Sequence, residues 1–376
     1  MTRALLFQQQ QLPLRQLVRH RAPLRHFSAC MQSSSSGSAT ALRRAKYVDI
    51  GVNLADDMYA GRYHGKQSHD ADLATVLARA RAAGVVAQMV TAGSVDEVSS
   101  VLALLAKTKG EDALYSTAGV HPTRSAQVEP SYLDDLGALL AADDDNNSAP
   151  VSKRIVAIGE CGLDYDRLHF SEKEPQLARF EEQLELAVRF QRPLFLHCRA
   201  AQADFVRVLR PRIDDIAKAC QRQGEAHDPA RKRVGVAHCF TGTVEEMREL
   251  VDLGLFVGLT GCSLRTDEGI EVAKAIPLDR LMLETDAPWC DMRPTHASSA
   301  HLEAYFSQHP DDKELLALYR PASTKKEKYA PTKTIKGRNE PCAIGLVAAV
   351  VAQVKGVSLT EVAEHARENT RFLFGI

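Results

Sequence analysis

Several features are missing from this 376-residue sequence, and each absence narrows what the protein can be. No apolar run approaches the ~20 residues that a membrane span needs. The longest, AIGLVAAVVAQV from Ala343, is interrupted by Gly and Gln and reads as a buried helix. The eight cysteines include no CxxC pair and no regular spacing, which argues against a disulfide framework or a thiolate zinc site. Cys161, Cys198 and Cys239 sit in or beside apolar strand patterns and read as reduced, packed thiols. No GxGxxG fingerprint follows the first strand pattern, which counts against a dinucleotide-binding open sheet.

Acidic residues are absent before Asp49. That segment carries Arg3, Arg15, Arg19, Arg21 and Arg25, then the serine-rich MQSSSSGSAT. An Arg-rich, acid-free leader resembles an organelle transit peptide, a disordered tail being the alternative. Arg25-His26-Phe27-Ser28 looks like a mitochondrial processing site with cleavage after Phe27, and Met31 offers a second start for a cytosolic or nuclear form. Residues 1–46 are therefore set apart from a single domain over 47–376. Removing residues 1–27 deletes five arginines and takes the formal net charge from −1 to −6. The mature body is not a globally basic nucleic-acid binder, and any attraction for phosphate must be local.

From Tyr47 onward, short apolar runs alternate with helical patterns. The strand candidates are 47–53, 85–93, 114–122, 154–162, 192–199, 233–240, 255–261 and 281–288. Between them lie amphipathic stretches such as ADLATVLARARAAG, EPQLARFEEQLELAVRF and TVEEMRELVDLG. Near-continuous apolar strands alternating with helices imply parallel pairing, and eight units in this length fit an α/β fold, a closed (β/α)8 TIM barrel. Beyond the last strand a long loop is expected from Trp289 to Asn339, with two helices after it.

In unit after unit the chemically capable residues fall at the strand's C-terminal end: Asn53, His121, Glu160, His197, His238 and Asp286, with Asp49 slightly deeper. In a parallel barrel these ends converge on one face. Each residue alone has a structural reading, as a core histidine, a turn former or a salt-bridge partner. Two histidines, a glutamate and an aspartate from four different strands make a donor set suited to a divalent metal ion.

The blocks GVHP (119–122), GECGLD (159–164), HCR (197–199), HCFTG (238–242), ETDAPW (284–289) and RNEP (338–341) occur in order. Together they resemble the signature blocks of the TatD family of metal-dependent deoxyribonucleases, from Tyr47 to Ile376. The resemblance implies a TIM-barrel metallo-dependent hydrolase of the amidohydrolase type that degrades DNA, mostly as a 3′-to-5′ exonuclease on single-stranded or frayed ends. It implies Glu160, His197, His238 and Asp286 as metal ligands, with Glu160 and Asp286 also serving catalysis. His121 would orient the phosphate or donate a proton. Mg²⁺ is the first choice of ion, Mn²⁺ or Zn²⁺ the alternatives, with one or two ions bound. The first strand ends Gly51-Val52-Asn53 where many related barrels carry His-x-His, so a tightly held second metal is in doubt.

Asn53, Arg199 and Arg338 are the candidate substrate contacts. Lys325, Lys326, Lys328, Lys333 and Lys336 are a candidate rail for the strand, and Trp289 and Tyr165 candidate stacking platforms. DNA is the expected partner, with no membrane and no obligate protein partner implied. Two other functions stay open: an ester or amide hydrolase such as a D-aminoacyl-tRNA deacylase, and a non-catalytic metal-binding barrel.

Overall fold

A computed structural model of the chain describes residues 45–108, 112–145, 153–222 and 231–376. The leader up to residue 44, with its proposed cleavage site, lies outside the described residues.

Eight parallel strands form one sheet in sequence order: β1 (Tyr47–Val52), β2 (Val85–Val90), β3 (Ala113–Ala118), β4 (Ile155–Asp164), β5 (Leu194–Arg199), β6 (Gly235–Ala237), β7 (Phe256–Leu259) and β8 (Leu281–Leu283). The eight correspond one for one to the strands read from the sequence. The sheet closes on itself just past β8. Val52 bridges Ala287, Asp286 N–H donates to Gly51 O at 2.8 Å, and Asn53 N–H donates to Ala287 O at 2.7 Å. The result is a TIM barrel.

The helices follow in alternation: α1 (Leu73–Ala82), α2 (Val95–Lys107), α3 (Tyr132–Asp145), α4 (Lys173–Phe190), α5 (Gln202–Leu209), α6 (Ile213–Ala219), α7 (Val244–Asp252) and α8 (Asp267–Ala275). Alternate strand residues, among them Val48, Ile50, Met89, Phe195, Phe256 and Met282, make one buried cluster, joined by Leu373 and Phe374. The opposite-facing residues pack on the helices in a larger cluster containing Val52, Leu114, Phe180, Phe205 and Leu250. This two-sided burial is why the strands read as continuous apolar runs rather than alternating ones.

The stretch from Trp289 to Asn339 is not the loop expected from its Pro and Lys content. It holds α9 (Ser298–Gln308), α10 (Lys313–Tyr319) and a short parallel pair, Ser323–Thr324 with Thr334–Ile335. Leu302, Tyr305, Leu315 and Tyr319 are buried, so these helices carry apolar faces of their own. The final helices α11 (Ile344–Lys355) and α12 (Leu359–Phe374) stand where the sequence places them, and α11 is the buried helix that AIGLVAAVVAQV foretells. Among the described residues, no single helix is long and apolar enough to cross a membrane.

Candidate active site

The strand ends meet around a cavity of about 710 Å³ lined by Asn53, His121, Glu160, His197, His238 and Asp286, among others. Glu160 is brought there by a local irregularity. Ile158 pairs with Leu194 and Cys161 with Leu196, so three residues of β4 span two of β5, which re-aims the intervening side chain. Gly159 and Gly162 make this possible. Their φ values are 143° and 138°, and a Cβ would come within 2.1 Å of Phe195 O and 1.9 Å of His197 O. Only glycine admits that backbone and that approach.

Glu160 Oε1 then receives three imidazoles. It lies 2.7 Å from His238 Nε2, 2.9 Å from His197 Nδ1 and 3.4 Å from His121 Nε2. Two of these rings are held from behind by carboxylates that are fully buried. His197 Nε2 is 3.1 Å from Asp164 Oδ2, and His238 Nδ1 is 3.2 Å from Glu284 Oε2. The far carboxylate holds a proton on the far nitrogen, so the near nitrogen faces Glu160 either with a proton of its own or with a lone pair free for a cation. Two lone pairs facing one carboxylate oxygen repel unless positive charge stands between them. The donor set therefore fits a divalent cation.

The protonation preferences express the same demand. Burial pushes the Glu160 carboxyl up, yet the imidazoles, His238 foremost, outweigh it and hold the group well below the usual carboxylate range. Burial lowers His238, but Glu160 and Glu284 raise it well above an ordinary histidine. His197 is likewise raised, with Asp164 and Glu160 overcoming burial. His121 differs, since burial lowers it and Glu160 offsets this only in part. Its Nδ1 accepts from the Thr123 backbone N–H at 3.2 Å, which leaves the proton on Nε2, toward Glu160.

Asp286 stands in the same cavity but is held differently. Asn53 Nδ2 donates to its Oδ1 at 3.0 Å, and the Cys290 thiol donates to its Oδ2 at 3.3 Å. Burial pushes its carboxyl up to about 6. The Asn53 amide is already partnered at both ends, for its Oδ1 accepts from the Thr91 hydroxyl at 2.6 Å. Asn53 therefore anchors Asp286 instead of presenting a free amide to substrate.

Arg338 requires a correction. It is buried, donating to Asp72 Oδ1 at 2.8 Å, Asp72 Oδ2 at 2.6 Å and Glu340 Oε1 at 2.9 Å, and it does not line the cavity. A guanidinium so paired has no donor fork left for a phosphate. RNEP is instead a clamp on the turn that carries Asp286. The Asn339 amide donates to Thr285 O at 2.9 Å, and Asn339 N–H donates to Pro288 O at 2.9 Å. None of the five candidate rail lysines lines the cavity either, and Lys326 sits over the Tyr63 ring. Tyr165 is tied to Asp204 through its hydroxyl, whereas Trp289 lines the cavity and is 49% exposed.

Arg199 does reach the rim, where its Nε donates to Asp166 at 2.8 Å. Arg124 and Arg167 join it there, and neither was singled out in the sequence. Asp164 and Glu284 were also missed as partners of the histidines, although both lie inside quoted blocks. Glu284 fills a slot between Gly51 and Gly258, where a Cβ would meet its carboxylate at 2.3 and 2.2 Å. Gln176 and Gln183 of α4 complete the frame. Gln183 Oε1 accepts from Val120 N–H beside His121, and Gln176 Oε1 accepts from Asp164 N–H, both at 2.7 Å. Two glutamines seven apart on the buried face of an amphipathic helix were the available signal.

A (β/α)8 barrel whose strand ends gather histidines and carboxylates for a cation defines the class of metal-dependent hydrolases. The family described as TatD related DNase matches residues 48–375. The chain is 39% identical over 335 residues to Deoxyribonuclease Tat-D of Schizosaccharomyces pombe, covering 88% of this chain and 96% of that protein. It is 36% identical over 263 residues to the 3'-5' ssDNA/RNA exonuclease TatD of Klebsiella pneumoniae, covering 68% of this chain and 85% of that one. The crystal structure of an uncharacterized amidohydrolase from Saccharomyces cerevisiae matches with a TM-score of 0.75 at 35% identity, over 88% of this chain and 100% of that chain. The chain belongs to the TatD family, and it is a hydrolase.

Proposed function

We propose that this protein is a divalent-metal-dependent nuclease that removes nucleotides from the 3′ end of single-stranded or frayed DNA, with Mg²⁺ as its working ion. The observation that carries the reading is the convergence of His197 Nδ1 and His238 Nε2 on Glu160 Oε1, each ring backed by a buried carboxylate. Glu160, His197, His238 and Asp286 would hold the ion. When bound, the ion supplies an activated water and polarises a phosphoryl oxygen.

The chain's own residues supply the rest. Asp286, buried and anchored by Asn53, takes up a proton from the attacking water. The His121 Nε2–H hands a proton to the leaving 3′-oxygen or orients the phosphate. Arg199, Arg124 and Arg167 at the rim attract the phosphate chain locally, which a body of net charge −6 requires. Trp289, exposed beside the cavity, stacks on the terminal base. The names of the fission-yeast and Klebsiella relatives support DNA as substrate and the 3′-to-5′ direction. The Arg-rich leader supports import into mitochondria with Ser28 as the mature N-terminus, which N-terminal sequencing of the isolated protein checks.

Single-stranded DNA labelled at the 3′ or the 5′ end, incubated with Mg²⁺, Mn²⁺, Zn²⁺ or EDTA, tests the proposal. Immediate loss of a 3′-terminal label, with a ladder of shortening 5′-labelled products, is expected with metal only. Cleavage in EDTA, or no shortening with any ion, contradicts it.

A further inference from the structure

Three cysteines that look unrelated in sequence meet in the cavity. Cys239 follows β6, Cys262 follows β7 and Cys290 lies beyond β8. Cys239 is thus not the packed thiol that its apolar neighbours suggest. Cys161, Cys220 and Cys342 are buried, whereas these three are only partly so, and all are free thiols. Cys239 Sγ lies 3.8 Å from Cys290 Sγ, and Cys290 Sγ lies 3.3 Å from Asp286 Oδ2. The donor atoms of Cys239, Asp286 and Cys290 are all within 4.8 Å of one another. Cys262 lines the same cavity.

These separations are those of ligands around one ion. Two thiolates on a tetrahedral zinc at ~2.3 Å stand about 3.8 Å apart, and a thiolate and a carboxylate about 3.6 Å. The backbone gives a second sign. Cys239, Asp286 and Cys290 have φ of 44°, 51° and 55°, three of the six non-glycine residues with positive φ among the described residues. Left-handed backbone at such residues costs on the order of 1 kcal/mol each and gathers at functional sites. Here it turns three donor side chains toward one point.

We infer that Cys239, Cys290 and Asp286 form a binding site for a thiophilic divalent cation such as Zn²⁺ or Cd²⁺, beside the Glu160 cluster and sharing Asp286 with it. On binding, the thiol protons leave to solvent. Sulfur donors select soft ions and refuse Mg²⁺, so the two halves of the cavity sort metals by hardness. Asp286 belongs to both halves. A soft ion that takes its Oδ2 removes the carboxylate from the reaction, and Zn²⁺ or Cd²⁺ in excess suppresses Mg²⁺-supported hydrolysis. This last consequence rests on the nuclease reading, whereas ion binding does not.

The test titrates the reduced full-length protein with Cd²⁺ alone and follows the ultraviolet thiolate-to-cadmium charge-transfer absorption. The comparison proteins are the double variant Cys239→Ser/Cys290→Ser, the single variant Cys290→Ser and the control Cys342→Ala, with circular dichroism to establish folding. A band saturating at one ion per chain is expected in the wild type and in Cys342→Ala. It disappears in the double variant, and Cys290→Ser alone weakens Cd²⁺ binding at least about tenfold. The absence of a band in the wild type, or an undiminished band in Cys290→Ser, overturns the inference. Failure of the wild type to cleave DNA leaves the band untouched and counts against the nuclease reading alone.

Discussion

His238 offers its Nδ1 to the buried Glu284 carboxylate at 3.2 Å, and this contact is what turns its Nε2 toward Glu160. Glu284 does not line the cavity, yet it orients the ring of a proposed ligand. Glu284→Gln, which keeps the shape and loses the charge, is expected to weaken Mn²⁺ binding about 10- to 100-fold by calorimetry. Saturating Mn²⁺ should restore most of the cleavage rate. An unchanged affinity would reduce Glu284 to a packing residue.

Arg338 is expected to matter for stability and not for DNA. It shares Asp72 and Glu340 in a network that Arg79 extends, donating to Glu340 Oε2 at 2.7 Å. Removing one member of a buried charge network costs about 3–5 kcal/mol. Arg338→Met should lower the thermal midpoint markedly while, at a temperature where the variant is folded, the salt dependence of DNA binding keeps the wild-type slope. Arg199→Ala should do the opposite, flattening that slope by about 0.7.

Asp49 gives a pH dependence with a definite sign. It is fully buried, and burial pushes its carboxyl up to about 8 even though Thr285 and Gly51 donate to it. The folded protein keeps this proton where the unfolded chain, with an ordinary aspartate, has lost it. Stability from this group is therefore complete below about pH 4 and drains away as pH rises toward 8, by at most about 1.4 kcal/mol per unit. Thr285 donates its backbone N–H and its hydroxyl to Asp49, and an asparagine carbonyl can still accept from it. Asp49→Asn should flatten the rise in thermal midpoint seen on lowering pH from 8 to 5. The same slope in both proteins would contradict the assignment.

Trp289 should act on the strand and not on the metal. Its ring is half exposed beside the cavity. Trp289→Ala is expected to weaken single-stranded DNA binding by about 1–3 kcal/mol, with Trp289→Phe recovering most of it. The Mg²⁺ concentration for half-maximal rate should not move.

The barrel was legible because its strands are buried on both faces and its helices are amphipathic, patterns that survive in a bare sequence. Glu160, His197 and His238 were legible for a related reason, since ligand-type residues recur at equivalent strand ends. Burial and pairing over long separations were not legible. Arg338 looks like any motif arginine until Asp72, 266 positions away in the chain, is seen beside it. The strand patterns for β6 and β8 also ran past the true ends, because Cys239 and Asp286 leave the extended conformation at positive φ. Apolar neighbours hid that turn, and with it the meeting of three cysteines. Trp289 to Asn339 read as a loop because its turn residues outweighed two short apolar helix faces.

The most direct test of the account is single-turnover cleavage of a 3′-labelled single-stranded DNA across a Mg²⁺ titration, comparing wild type with Glu160→Ala. Metal-dependent release of the 3′ nucleotide is expected from the wild type, and a loss of at least about 10³-fold from the variant at every Mg²⁺ concentration, equivalent to about 4 kcal/mol of transition-state stabilisation. A variant that regains the wild-type rate at high Mg²⁺, or that cleaves as fast throughout, would show that the chemistry is not centred on Glu160.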